Sequence, residues 1–397
     1  MKIGIEAQRL FRKRKFGMDI VILELIRQLQ VLDRENEYVI FVNPDKDVCI
    51  QETANFKIHY ISSTIYPVWE QLLLPKAVRQ AKVDFLHCTS NTAPLRLNVP
   101  LVLTLHDVIS LEPTAKYFMS LYQETGRIYR RWLIPKVASR CSRLITVTHN
   151  EKKLISKKIP KTKSKISVVH NGVDKRFRPV SETGKEIFRN KYQLPEKYMA
   201  FLGNTDPRKN IHDVLLAYSV YLKQSKYRIP LVILHFERNK LMSLLRMLKI
   251  KEIESHVITI GYLDFDEMPA FYSAAELFLF PSLREGFGMP ILEAMACGTP
   301  VITSVISSMP EVAGNAGWFV DPSDVDEIAL NILHLEDYPE EIEDLREKGL
   351  QRSREFSWEK AARNLLKIYQ NEMKKIKKLT PLPYDRLPSD SAENSFH

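Results

Sequence analysis

The sequence has little cysteine and no segment that reads as a membrane span. Its four cysteines, Cys49, Cys88, Cys141 and Cys297, are scattered without metal-ligand spacing or a disulfide framework, so all four are expected as free thiols. No apolar run approaches the roughly 20 residues that cross a bilayer. The opening "MKIGIEAQRL" reads as the start of a strand and not as a signal peptide, and a cytoplasmic protein is expected. Internal repeats and low-complexity tracts are missing. So are a P-loop, a G-x-G-x-x-G after the first strand, a G-x-S-x-G elbow and an H-E-x-x-H helix. Phosphotransfer, dinucleotide redox, serine hydrolysis and zinc hydrolysis all lose ground.

Positive charge is in excess. With 58 Lys and Arg against 48 Asp and Glu, the net +10 favours an anionic partner without naming it. The excess shows in "RKRK" (12–15) and in "EKKLISKKIPKTKSK" (151–165), neither interleaved with the stacking aromatics of a single-stranded nucleic-acid platform. Nucleic acid is therefore not an expected partner. A solvated basic face is the ordinary account of such runs, and weak contact with an anionic membrane, at its inner face, is the alternative.

At 397 residues the chain has room for two domains. Short β-rich runs alternate with helical stretches: "KIGIEA", a helix over 17–32, "YVIFVN", "KIHYIS", a helix over 70–81, "DFLHC", "LVLTLHD", a helical stretch near 117–140, "RLITVT" and "ISVVHNG". After a polar stretch with Pro179 and Ser181 the alternation restarts with "KYMAFLGN", "PLVILHFE", "HVITIGYL", "AELFLFPS", "PVITS" and "GWFVDP". Such alternation argues an α/β fold of parallel sheets covered on both faces. The expected organisation is one doubly wound domain over 1–178, a second over 190–356, a closing helix over 357–378 and a loose tail over 379–397. In such sheets ligands bind beyond the carboxyl ends of the strands, so strand-end motifs carry the most information.

One such motif is "EGFGMPILEA" (285–294). "AELFLFPS" reads as a buried strand, Gly286 and Gly288 permit a tight turn, and Pro290 suits the start of a helix that Gly298 stops. Amides of Gly288, Met289 and Ile291 would then point out of the helix N-terminus, where phosphate or sugar oxygens are well placed. Glu293 is expected in the first helical turn and Glu285 across the turn from it. Carboxylates accept hydrogen bonds and sugars donate them, so the two acids could share one polar ligand. An acid in a first helical turn also gains roughly 0.3 to 1 kcal/mol from the helix dipole with no ligand at all.

Other strand ends add charge and a histidine. "YMAFLGN" is followed by "TDPRKN" and a helix expected to be capped by Asn210, which puts Arg208 and Lys209 where amides already favour an anion. Arg can fork onto phosphate oxygens while Lys acts as a point charge, a division that suits a leaving diphosphate. "LVLTL" runs into His106 and Asp107, and Gly17 precedes the first long helix, where backbone could approach a phosphate.

Together these residues resemble a known family. "FPSLREGFGMPILEAMACGTPVITS", with glutamates eight apart, resembles the donor-site signature of the retaining GT-B glycosyltransferases of group 1, or family 4. "VWEQLLLPKAV", "VPLVLTLHDV", "ITVTHN", "VVHNGVD", "LGNTDPRKNI", "DEMPAFYSAAELFLFPS" and "FSWEKAARNLLKIY" follow in the family's order, across nearly the whole chain. The resemblance implies two Rossmann-like domains facing a central cleft and a nucleotide-sugar donor held mainly by the second. It implies Glu293 on the ribose hydroxyls and Glu285 on the sugar hydroxyls, with backbone amides of Phe287, Gly288 and Met289 supporting the sugar. Arg208 and Lys209 would clamp the diphosphate, backbone near 261–263 would read the base, and Gly17 would face the phosphates. His106 matches the histidine beside the reacting sugar, which makes His106 and Glu285 the catalytic candidates. The chain departs from many relatives in having Asn204 directly after the glycine of "LGN", with its arginine at 208, and in lacking a glycine pair beside Gly17.

The implied activity is retaining transfer of a hexose, with mannose from GDP-mannose first and a UDP-hexose second, to a glycan or lipid-linked acceptor. Neither cofactor nor metal is required. The rivals are another GT-B enzyme, such as a sugar-nucleotide epimerase or phosphorylase, and a non-catalytic basic nucleic-acid-binding protein.

Overall fold

The computed structural model describes residues 1–113 and 121–379. Among them the first sheet holds β1 (Lys2–Glu6), β2 (Glu37–Val42), β3 (Phe56–Tyr60), β4 (Phe85–Cys88), β5 (Leu101–Thr104), β6 (Arg143–Thr146) and β7 (Ile166–Val168), in the order β3-β2-β1-β4-β5-β6-β7. The second holds β8 (Met199–Leu202), β9 (Leu231–Leu234), β10 (Val257–Ile260), β11 (Leu277–Phe280), β12 (Val301–Ser304) and β13 (Gly317–Val320), in the order β10-β9-β8-β11-β12-β13. All pairings within the two sheets are parallel. Every strand falls on an apolar run read from sequence, because a parallel sheet covered on both faces needs side chains that are buried on both. β4, β5, β9, β11 and β12 are buried at every position.

The helix Gly17–Leu32 lies where expected. The helix expected over 70–81 is compound: a turn at Tyr66–Val68, a π-helical stretch Trp69–Leu73 and an α-helix Leu74–Ala81. Pro75 has no amide to donate one turn back, and the Leu74 amide reaches the Trp69 carbonyl five residues earlier. The helix near 117–140 is seen from Leu121 to Arg140, and residues 117–120 lie outside the described residues.

Between the sheets the polar stretch is not bare chain. Ser181 caps a helix, Glu182–Tyr192, whose Phe188 is buried with Phe177 and Tyr198 in the core of the second sheet. The final helix, Trp358–Leu379, returns to the first sheet, burying Trp358, Ala362, Leu365 and Tyr369 against Ile3, Ile5 and Phe85. The Tyr369 hydroxyl lies 2.6 Å from Nδ1 of His87 on β4, and Arg143 of β6 meets Glu372 at 3.2 Å. This helix includes Leu379, which had been assigned to the loose tail; the rest of that tail lies outside the described residues. Helix ends shift by a residue or two with hydrogen-bond geometry that sequence does not encode.

Candidate active site

The strand order of the second sheet reverses between β8 and β11, the kind of switch point beyond whose strand ends parallel sheets bind ligands. The loops leaving these two strands carry the predicted charges. After β8, Asp206 accepts the Arg208 amide at 3.1 Å and opens a single turn, Pro207–Lys209. Arg208 forks back onto the same carboxylate, with Nε 3.0 and 3.1 Å from its two oxygens. Burial works against the Asp206 charge, but these contacts hold its carboxyl below the usual range. Lys209 crosses to the β11 loop, where Nζ lies 2.6 Å from Glu285 Oε1. The two loops are also stitched by backbone, since the Leu283 amide donates to the Arg208 carbonyl at 2.8 Å.

Asn210 does hold the N-cap position of the next helix, Ile211–Gln224, but with a left-handed φ of 63° and no side-chain bond to the helix. Its amide group donates instead to the carbonyls of Pro281 (3.1 Å) and Pro322 (2.5 Å), tying together the ends of β11 and β13. Asparagine tolerates the left-handed region, which frees its side chain for this use.

The acidic turn corrects one expectation. Gly288, with φ 99°, is the N-cap of the helix Met289–Ala296, so the helix starts a residue earlier than read and Glu293 sits in its second turn. The helix-dipole account of Glu293 therefore weakens, because that effect fades beyond the first turn. The Ile291 amide is used internally, on the Gly288 carbonyl at 3.1 Å. Glu293 is buried and accepts the Tyr272 hydroxyl at 3.1 Å. Burial, with a smaller push from Asp174, lifts its carboxyl to about 7 against the pull of that hydroxyl. Phe287 is a core side chain, packed beside His170 and Phe356, so only its backbone is free to meet a ligand. Met289 packs against the cores of both sheets.

The first domain meets this turn closely. A Cβ added to Gly286 would stand 2.9 Å from the His106 carbonyl oxygen and 3.2 Å from Asp107 Cβ, so glycine is required by the approach of the two domains. His106 is buried, and its Nε2 lies 2.9 Å from the Thr89 carbonyl oxygen. That nitrogen must carry the ring proton, leaving Nδ1 as an acceptor. Burial holds the imidazole below its usual range, so it is neutral at pH 7. Asp107 acts electrostatically on Arg208 from across the cleft. Gly17 is the first residue of its helix, and an added Cβ there meets nothing within 4 Å, so packing does not demand glycine at that position. At 261–263, Tyr262 stacks on His235 and carries the Arg14 guanidinium over its ring at 4.8 Å. "RKRK" is thus partly engaged, with Arg14 on Tyr262 and Lys15 on Asp47.

Two family models cover most of the chain: the one described as glycosyl transferases group 1 matches residues 184–352, and glycosyltransferase family 4 matches residues 17–177. The chain belongs to the group 1 glycosyltransferases. An O-antigen chain mannosyltransferase B of Escherichia coli is 38% identical over 45% of this chain and 48% of its own, so the chain spans about half the length of that relative. An O-antigen chain mannosyltransferase, RfbU, of Salmonella typhimurium is 29% identical over 70% of this chain and 71% of its own. Among solved structures, HepE of Anabaena in complex with UDP and glucose superimposes with a TM-score of 0.70, at 16% identity over 94% of this chain and all of that one. The fold is GT-B. No helix among the described residues of this glycosyltransferase is long and apolar enough to cross a membrane.

Sequence reasoning missed the residues that dock the two domains of this glycosyltransferase. Four consecutive residues at the start of the helix His149–Lys158 reach the second domain. The Thr148 hydroxyl donates to the Gly286 carbonyl at 3.2 Å, and the amides of His149 and Asn150 donate to Glu311 at 2.7 and 3.0 Å. Glu151 pairs with Arg284, which also reaches Glu112 at 3.2 Å and the Glu285 carbonyl at 2.6 Å. Glu151 is buried, which pushes its carboxyl up to about 7 against the opposing charge of Arg284. Arg284 thus fixes the backbone of Glu285 to the first domain. Its place immediately before Glu285 was the available signal; its partners at 112 and 151 were too distant in sequence to show one.

Proposed function

We propose that this protein transfers a hexose from a nucleotide sugar, GDP-mannose first, to a glycan or lipid-linked acceptor with retention of configuration. The observation that carries this reading is the meeting of Arg208, Lys209 and Glu285 at the switch point of the second sheet with His106 and Asp107 directly against Gly286. The mannosyltransferase relatives favour mannose, and the complex of HepE with UDP and glucose keeps a UDP-hexose as the second donor.

In this reading Arg208 and Lys209 take the diphosphate, Glu285 the sugar hydroxyls and Glu293 the ribose hydroxyls. Amides of Phe287, Gly288 and Met289 support the sugar, Gly17 faces the phosphates, and backbone at 261–263 meets the base. Lys209 already neutralises Glu285, so an arriving phosphate shares that cation and needs no new one. Neutral His106 accepts a sugar hydroxyl beside the reacting carbon. The bond from the anomeric carbon to the diphosphate oxygen breaks as the acceptor oxygen bonds on the same face, and the acceptor proton passes to the departing phosphate. Arg208 and Lys209 supply charge where charge develops, so the step is written without metal or cofactor. Exposed Lys153, Lys157, Lys158, Lys161 and Lys163 would give weak, salt-sensitive contact with an anionic membrane carrying a lipid-linked acceptor.

The test is incubation with GDP-mannose and a panel of UDP-hexoses, following nucleoside diphosphate release and reading the product anomer by NMR. Release from GDP-mannose with an α-linked product is expected. No release from any donor, or an inverted product, would sink the proposal.

A further inference from the structure

Three side chains with metal-ligating atoms converge at the domain junction, outside the proposed donor site. His149 opens the helix His149–Lys158 and His170 follows β7, both in the first domain, while Glu311 lies on the helix Met309–Ala313 in the second. One ligand atom from each lies within 4.8 Å of the other two, and His170 Nε2 is 2.8 Å from Glu311 Oε1. Two ligands about 2.0 to 2.2 Å from one tetrahedral zinc-class ion stand about 3.3 to 3.6 Å apart. Closing this set on a cation therefore asks for an inward shift of at most about 1.4 Å and a slight opening of the His170–Glu311 pair, and the exposed His149 side chain is placed to supply the inward shift.

The other two ligands are already oriented. Glu311 is held by the amides of His149 and Asn150, and its own carbonyl accepts Arg352 Nη2 at 2.6 Å. The His170 ring stands edge-on to Phe356 with centroids 5.7 Å apart. A groove beside them is lined by Arg352, Glu355 and Lys360, and Arg352 is paired with Glu355 at 2.5 Å, which offsets its charge near a cation. The groove gives water access to a fourth coordination position.

We infer that His149, His170 and Glu311 form a site for a first-row divalent cation that bridges the two domains. Two imidazoles and one carboxylate suit zinc, cobalt or nickel and not calcium or magnesium, which take oxygen ligands. The ion has a structural role: it adds to the hydrogen bonds by which Glu311 already holds the start of the helix His149–Lys158. The inference does not depend on the identity of the donor or acceptor.

The experiment uses untagged full-length protein, stripped with chelator and exchanged into metal-free buffer. Cobalt(II) is titrated while its visible absorption is followed, and zinc is then added in competition. The site predicts one cobalt per chain, displaced by zinc, and a zinc-dependent rise in thermal midpoint that magnesium does not reproduce. His149→Ala and Glu311→Gln should each weaken cobalt binding at least about tenfold and abolish that rise. His170→Ala should do the same; because its ring packs on Phe356, the exposed His149 carries the decision if that variant is unstable. Absence of saturable binding, or binding in His149→Ala equal to that of the parent protein, overturns the inference.

Discussion

Glu285 stands on the loop after β11 with Lys209 Nζ 2.6 Å away, while Glu293, eight residues further on, is buried with the Tyr272 hydroxyl as its donor and Asp174 as the charge acting on it. The two acids leave one short motif and meet opposite electrostatics. Glu285 has its counter-charge built in. Glu293 is a carboxylate taken out of water with one hydrogen bond in return, an arrangement that destabilises the ion wherever it persists. A buried acid without a compensating cation is what a fold tolerates when a ligand will bring the missing donors. Under the proposed function the difference divides the labour: Glu285 would be tied to the charge of the leaving group, and Glu293 would take the ribose hydroxyls.

Removing the cation from the first acid should have the largest effect. Lys209→Ala leaves Glu285 without its partner and deprives the departing diphosphate of a charge, so kcat should fall by about 10² to 10³. Affinity for the bare nucleoside should change little. Kinetics with the preferred donor decide this, since an unchanged kcat with only a raised KM would reduce Lys209 to uniform binding and erase the contrast with Glu293.

Glu293→Gln tests the second acid in two directions at once. Losing a charge-assisted contact to donor hydroxyls should lower kcat/KM about ten- to hundredfold. Stability should move the other way. Burial raises the folded-state carboxyl from 4.5 to about 7, so Glu293 favours folding fully below about pH 4.5 and that contribution is lost as pH rises through 7. The glutamine variant escapes this loss and should melt higher than the parent at pH 8, with the gap closing toward pH 5. Thermal melts across that range would refute the assignment if the variant were less stable at pH 8, or equally active.

Gly286→Ala sharpens the comparison by disturbing only the Glu285 end of the motif. The new methyl would meet the His106 carbonyl, which belongs to another domain and cannot rotate away. Overpacking of this kind costs about 1 to 3 kcal/mol. Denaturant unfolding should show that loss, with kcat/KM reduced about tenfold as the turn moves off His106. Parent-like values of both would mean that the domains do not close as seen.

How much of this was legible in the sequence follows from what each signal depends on. Buried parallel strands are continuous apolar runs, so "AELFLFPS" and "PVITS" declared β11 and β12 without help. Arg208, Lys209, Glu285 and His106 could be picked out as candidates because each follows the carboxyl end of a strand, and Glu293 because the same motif runs on into the helix Met289–Ala296. What failed depended on partners far along the chain. Asn210 looked like a helix cap, yet its side chain goes to Pro281 and Pro322. Arg284 drew no reading of its own, because Glu112 and Glu151 stand far along the chain and meet it only when the domains dock. Histidines at 149 and 170 had no visible link to Glu311, because only the docking of one domain on the other brings the three together. The helix start at Met289 was missed by one residue, and that single step moved Glu293 into the second turn, where the helix dipole acts more weakly.

The smallest effect belongs to the hydroxyl that donates to Glu293 from within the fold. Tyr272→Phe removes the hydroxyl that favours the ionised carboxyl, leaving desolvation and Asp174 to push the Glu293 carboxyl above its present value of about 7. The ring itself keeps its packing against Phe177, Phe271 and Phe278, and the Tyr272 carbonyl still accepts the Thr299 hydroxyl, so the fold should lose only the about 0.5 to 1.5 kcal/mol of one hydrogen bond. At pH 7 a larger fraction of Glu293 would carry a proton and could not accept from both ribose hydroxyls. Activity there should drop a few-fold and recover as pH is raised toward 9, displacing the acidic limb of the kcat/KM profile upward. Lys209→Ala should leave the position of that limb unchanged, because its partner is the other acid. A Tyr272→Phe profile that keeps its limb while losing height would mean that Glu293 meets the donor already ionised, and the electrostatic contrast between the two glutamates would not extend to the working enzyme.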